Sequence, residues 1–255
     1  MEVHYLDNSA TTPVLPEAAQ AAVELMTEEY GNPSSLHTKG FAARQRVEAA
    51  RAAVAARLGA RPEELTFTSG GTEANNLALF GAAQARKRMG RKIVTTAAEH
   101  DSVLNPCREL EKQGFQVVYL KPDGTGRLPE EALFDAIDGD TILVSVMLVN
   151  NETGAVFPVE AAARAIRRKK APALLHTDCV QAFGKLDFTP QGHRGPVREK
   201  GDPPAAPCVR RRPGAGPAPR HGEHAPHGRL WAGGGAAAQG RGGPARGPGP
   251  ERPAA

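Results

Sequence analysis

Cysteine is scarce in this 255-residue chain. Cys107, Cys179 and Cys208 form no CxxC pair and no even framework. That argues against a disulfide scaffold and a cysteine-rich metal site, and it fits a reducing, cytoplasmic setting. Long apolar runs are missing too. Nothing reaches the length of a membrane span, and the first residues lack the charged start and apolar core of a secretory signal. Aromatics make up only 5% of the chain. Trp231 is the sole aromatic of residues 191–255, which leaves little for stacking on nucleic-acid bases.

Acidic residues are also few at the C-terminal end. Residues 191–255 hold ten Arg and one Lys against four acids, a charge of +7. The whole chain carries +4, so residues 1–190 carry −3. The basic balance belongs to the tail and gives no reason to expect a nucleic-acid-binding fold. The tail has 15 Gly and 12 Pro, and its branched aliphatics are Val197, Val209 and Leu230. Such a segment cannot bury enough apolar surface to offset its ordering entropy, so a disordered Gly/Pro/Arg-rich tail is expected.

What the first 190 residues do have is alternation. Helices are expected over Pro16–Tyr30, with proline in the first turn, and over Phe41–Leu58, ended by Gly59. Strands are expected at Leu65–Thr68, Lys92–Thr96, Gln116–Leu120, Thr141–Leu148 and Ala173–Thr177. Helices fall between them at Glu73–Arg88, Val103–Gln113, Pro129–Ile137 and Val159–Lys169. This pattern predicts an α/β domain with a mostly parallel, buried sheet flanked by helices. Ligands bind such sheets at the carboxyl ends of the strands.

The polar signatures fall at those ends. Ser69-Gly70-Gly71-Thr72-Glu73-Ala74-Asn75-Asn76 passes from a strand through glycines into a helix. That geometry aims backbone N–H groups and the positive helix end at one point, a phosphate site. A plain Gly-rich turn capped by Thr72 accounts for the stretch equally well. Asp178 ends an apolar strand, where a carboxylate can face a protonated heteroaromatic nitrogen, or can cap the following segment. His100 can stack on a flat ring and shuttle protons, or be a loop histidine. Asn151 and Gln181 are amides able to bond a phenolic oxygen, or to satisfy their own loops. The small polar segment Asp7–Pro13 can line a site or form an ordinary turn. Together, a phosphate cradle, a carboxylate, an imidazole and two amides describe a pyridoxal 5'-phosphate pocket.

Residues 4–188 resemble the class V, fold-type I pyridoxal-phosphate enzymes, specifically the NifS/IscS-type cysteine desulfurases. The resemblance lies in Tyr5–Thr12, Gly31–His37, Phe67–Asn76, Glu99–Val103, Asn150–Gly154 and His176–Gln181. It implies a fold-type I large domain over residues 1–190. Gly71 and Thr72 would hold the cofactor phosphate. His100 would stack on the pyridine ring and assist proton transfer. Asp178 would keep the pyridine nitrogen protonated. Asn151 and Gln181 would bond the ring oxygen or the substrate carboxylate. The implied reaction takes L-cysteine to L-alanine and leaves a persulfide for iron–sulfur or thio-cofactor synthesis. A homodimer, a sulfur-acceptor or scaffold partner, and no metal, membrane or nucleic acid are implied with it. A sibling class V aminotransferase or lyase activity is the alternative, as is a non-catalytic remnant.

The resemblance stops near residue 190. The family's Schiff-base lysine lies in a Ser-x-His-Lys segment that this chain lacks; Lys185 matches a position upstream of it, and Lys200 lies in the tail. None of the three cysteines matches the catalytic loop motif. With free synonymous codons, the tail read one base later permits PKGIGALYVRKGTPP over residues 190–204 and GGRERGLRPGTENTPH over 211–227. Both strings resemble the family's continuation, in order and in one frame. A deletion near Thr189–Pro190 with out-of-frame translation of 191–255 is the expectation, and with it an inactive chain.

Overall fold

The computed structural model describes residues 4–186, with the backbone of 188–189, 192–193 and 229–232. The expectations for the rest of the tail lie outside the described residues. Helix α1 (Pro16–Thr27) and helix α2 (Thr38–Leu58) lead in. Leu15 precedes α1 without a side-chain cap, and proline supplies the pre-set first turn. His37 caps α2 by accepting the Gly40 N–H, and Gly59 ends it in the left-handed region at φ 66°. No residue of α1 is buried.

Then α3 (Gly71–Arg86), β1 (Lys92–Thr96), α4 (Asp101–Lys112), β2 (Gln116–Leu120), α5 (Glu130–Ala136), β3 (Thr141–Ser145), α6 (Val159–Lys169) and β4 (Leu174–Asp178) alternate. Short pairs β5 (Phe188–Thr189) and β6 (Gly192–His193) form an antiparallel ribbon. Strand β7 (Arg229–Ala232) joins the main sheet, whose order is β2-β1-β3-β4-β7, parallel throughout. Two short stretches of the expected irregular tail therefore enter ladders.

Helices cover both faces of the sheet, so its central strands are buried without alternation. Ile93 and Leu143 pair in register and face α3 and α4, packing with Leu79, Val103 and Leu110. Their neighbours Val94 and Val144 pair and face α5 and α6, packing with Leu133, Ile137 and Ile166. The bounds of β1, β2 and α6 match the sequence expectation, whereas β3, expected to reach Leu148, ends at Ser145, and β4 lies one residue later than expected. The helix expected from Glu73 begins two residues earlier, at Gly71.

One expected strand does not form. Leu65–Thr68 enters no ladder among the described residues. A strand exists only through its partner, and the Leu65 carbonyl is taken instead by the Arg51 guanidinium. The free side of β4 is paired by the β7 backbone.

Candidate active site

The carboxyl ends of β1, β3 and β4 lie side by side, because the sheet is parallel and the strands are in register. Each ends in a polar turn. After β4, Asp178 is buried, with 6% exposure. Its Oδ1 accepts the Val180 N–H at 2.9 Å, and its Oδ2 accepts from Asn75 Nδ2 at 2.8 Å. Of the two sequence readings of Asp178, the cap is made: Oδ1 accepts from the turn that follows, and Oδ2 is held by Asn75.

Asn75 lies one turn into α3. Gly71, at the helix start, is four residues back, a rise of about 6 Å. A Cβ built on Gly71 would stand 3.1 Å from Val180 Cγ2, so the first turn of α3 packs against the turn after β4. No side chain caps α3 at Gly70. The backbone N–H groups of Gly71 and Thr72 have no partner among the described residues. Glu73 instead binds back to the N–H and hydroxyl of Ser69, both at 2.7 Å. The Thr72 cap that would explain the stretch as a plain turn is not made. An open N–H cradle is, and it suits an anion.

His100 sits in the turn after β1 and caps α4. Its Nδ1 lies 3.1 Å from Ser102 N and 2.8 Å from Ser102 Oγ. A backbone N–H can only donate, so Nδ1 is the acceptor and the proton of neutral His100 is on Nε2. The ring is exposed and borders a cleft of about 480 Å³ together with Thr72, Asn76, Phe80 and Ser102.

Asn75 joins these parts. Its second N–H donates to Ser102 Oγ at 2.8 Å, and its carbonyl lies 3.2 Å from His176 Nε2. His176 in turn meets Ser145 Oγ through Nδ1 at 2.8 Å. With both Asn75 hydrogens donated, its oxygen accepts, so His176 carries its proton on Nε2 and Ser145 donates to Nδ1. Burial lowers the His176 pKa to about 4, against a raising influence from Asp178. The imidazole is therefore neutral at physiological pH.

Glu99 is the other buried titratable group. Its Oε1 accepts from Met147 N at 2.8 Å and Thr96 Oγ1 at 3.0 Å, while Oε2 has no partner. Burial raises its pKa to about 8.

Gln181 and Asn151 behave differently from one another. Gln181 Nε2 donates to the Ser9 carbonyl at 3.1 Å, and Lys185 Nζ donates to Gln181 Oε1 at 2.8 Å. This brings the Asp7–Pro13 segment to the site. Asn151, in the turn after β3, makes no hydrogen bond among the described residues. Its neighbour Asn150 builds that turn, accepting from Thr153 N at 2.8 Å and donating to Ala98 O at 2.9 Å. Asn75, Ser102, Ser145 and His176 carry the network, and no role for them was read from the sequence. The available signal was polar residues interrupting apolar strands at one register, Ser145 opposite His176.

Both described cysteines are buried. Burial pushes the Cys107 thiol up to about 12 and holds Cys179 well above its ordinary value. Neither is a competent nucleophile. Among the described residues, no group of three or more His, Cys, Asp or Glu is placed to hold a metal, and no helix is long and apolar enough to cross a membrane.

A parallel sheet wrapped by helices, with an open N–H turn, a carboxylate and an imidazole beside the carboxyl ends of its strands, has the architecture of the large domain of a fold-type I transferase. The aminotransferase class-V family matches residues 4–192, and the chain belongs to that family. It is 48% identical over 186 residues to cysteine desulfurase 2 of Trichormus variabilis, covering 73% of this chain and 46% of that protein. It is 43% identical over 190 residues to the cysteine desulfurase IscS of Shewanella sediminis, covering 73% and 46%. Among solved structures, a NifS-like protein superposes with a TM-score of 0.69 at 40% identity, covering 72% of this chain and 50% of the other. The structure described as SspA in complex with cysteine gives 0.69 at 35%, covering 73% and 53%. The chain thus spans about half the length of the relatives it matches.

Proposed function

We propose that this chain is the large-domain portion of a pyridoxal-phosphate-dependent cysteine desulfurase and that, as it stands, it binds the cofactor without turning over cysteine. The observation that supports this reading most is the buried Asp178 carboxylate, fixed by Asn75 one helical turn from the open N–H cradle of Gly71 and Thr72. An anion at the cradle and a cationic ring nitrogen at the carboxylate are the two ends of one phosphorylated pyridine.

When bound, pyridoxal phosphate supplies an electron sink that weakens bonds at the substrate α-carbon. Gly71 and Thr72 would hold its phosphate, and Asp178 its pyridine nitrogen. His100 presents a ring face for stacking and an N–H at Nε2 able to move a proton. Asn151 has an unengaged amide for the ring oxygen or a substrate carboxylate. Gln181 would serve there by yielding its contact with Lys185.

The substrate by family is L-cysteine, the products L-alanine and a sulfur passed to an acceptor or iron–sulfur scaffold, and the working form a homodimer. Two things withhold turnover from this chain. It has no Ser-x-His-Lys segment, and Cys107 and Cys179 are buried thiols. Without the lysine there is no covalent tether and no nucleophile to speed exchange with substrate.

The test is purification of the full chain with pyridoxal phosphate. Reversible retention on gel filtration, lost in Asp178→Ala, with no lysine-type absorbance band and no sulfide from L-cysteine, is expected. Sulfide release, or cofactor fixed irreversibly by borohydride, overturns the inactive reading. Failure to retain cofactor at all overturns the site.

A further inference from the structure

We propose that Asn75 is a positioning residue, a single amide that orients the Asp178 carboxylate and sets on which nitrogen His176 keeps its proton. This rests on the cofactor reading above for its use, but not for its geometry.

Asn75 is fully buried and uses every polar atom on its side chain. One N–H goes to Asp178 Oδ2 and the other to Ser102 Oγ, both at 2.8 Å, and the carbonyl faces His176 Nε2 at 3.2 Å. The amide cannot be reversed without placing its oxygen against the Asp178 carboxylate. Its direction is therefore set by charge, and everything downstream follows. Ser102 Oγ receives from Asn75, so its own proton is directed to His100 Nδ1. The Ser102 backbone N–H points to the same nitrogen. His100 is left with its N–H on the outward Nε2. On the other side, His176 must donate through Nε2, which requires Ser145 to donate to Nδ1. One orientation thus propagates to Ser102, His176 and Ser145.

Two substitutions of similar size separate this role from simple packing. Asn75→Leu removes all three bonds. The His176 Nε2–H then faces an apolar group, so its proton moves to Nδ1, where Ser145 Oγ can accept it. Asn75→Asp keeps an acceptor for His176, which stays protonated at Nε2. It also draws the Ser102 hydroxyl toward the new carboxylate; His100 keeps its proton on Nε2, because the Ser102 backbone N–H still points at Nδ1. Nitrogen-15 imidazole spectra of the full chain, recorded without cofactor, read both rings. Loss of a hydrogen bond to a charged group predicts pyridoxal phosphate affinity weaker by roughly ten- to a hundredfold in both variants.

Circular dichroism identifies a variant that fails to fold. Ser102→Ala then provides a milder cut, expected to leave both His100 and His176 protonated at Nε2. A His176 spectrum unchanged in Asn75→Leu, or a His176 proton moved to Nδ1 in Asn75→Asp, overturns the proposal. So does a move of the His176 proton in Ser102→Ala. Because the spectra need no cofactor, they are decided separately. A wild type that binds no pyridoxal phosphate refutes the functional reading, not this one.

Discussion

Glu99 accepts the Met147 N–H at 2.8 Å, tying the turn after β1 to the end of β3 from inside the protein. Its second oxygen is buried and bonded to nothing. Burial outweighs the two donors, and the folded pKa rises from 4.5 to about 8. Between those values the folded chain holds a proton that the unfolded chain has lost, so stability falls as pH rises. Glu99→Gln should remove that slope and be more stable than wild type at pH 9, by on the order of a few kcal/mol. Urea titrations from pH 5 to pH 9 measure it. Parallel curves for the two proteins would count against the buried, unpartnered carboxyl.

His176 gives the opposite slope. Its folded pKa of about 4 lies below the ordinary 6.5, so the unfolded chain takes up a proton first and stability is lost as pH falls from 6.5 to 4. Between pH 4.5 and 6.5 the two groups oppose one another; above 6.5 Glu99 acts alone. His176→Gln should flatten the acid limb and leave the alkaline limb intact. Thermal melts across the range would show whether the limbs separate in this way.

The two buried thiols predict an inert protein toward disulfide reagents. With Cys208→Ser in place, native protein at pH 8 should show negligible labelling by an aromatic disulfide reagent, and two thiols after denaturation. Rapid native labelling at Cys107 or Cys179 would show that one of them is an accessible thiolate.

The loop before α2 is held close against the helix. A Cβ on Gly40 would collide with the Ser35 carbonyl and stand 2.9 Å from the Asn32 carbonyl, both backbone atoms that cannot step aside. Gly40→Ala should cost about 1–3 kcal/mol by overpacking, read as a lower denaturant midpoint. A neutral result would mean the 31–37 loop rearranges freely.

Apolar surface at the N-terminal end should drive self-association. Leu15, Met26, Leu36 and Phe41 are each more than half exposed, and α1 buries no residue. Light scattering on the full chain should show oligomers whose mass falls when Leu15, Met26 and Phe41 are changed to serine. A monodisperse wild-type monomer at high concentration would refute this.

The sheet was legible because burial on two faces writes itself as unbroken apolar runs, as in Ile142–Val144. The strand expected at Leu65–Thr68 was not a safe inference, since its ladder depends on a partner that local sequence does not name. Among site residues, Gly71, His100 and Asp178 were legible as polar or glycine breaks after apolar runs, although the run before Gly71 forms no strand. Asn75 and Ser102 were not, because each looks like an ordinary helix residue until the helices are packed. His176 and Ser145 could have been noticed as polar residues in a core strand. The orphaned oxygen of Glu99 could not, because an unmade bond leaves no mark in sequence.

The hydrogen bonds at Asn75 join residues 27, 101 and 103 positions apart. Contacts of such long separation are entropically expensive to close and form only after the intervening crossovers are packed. The candidate site is therefore a late product of folding. A chain still emerging from the ribosome has its N–H cradle once α3 forms, but it acquires a carboxylate opposite that cradle only when β4 docks, near residue 178.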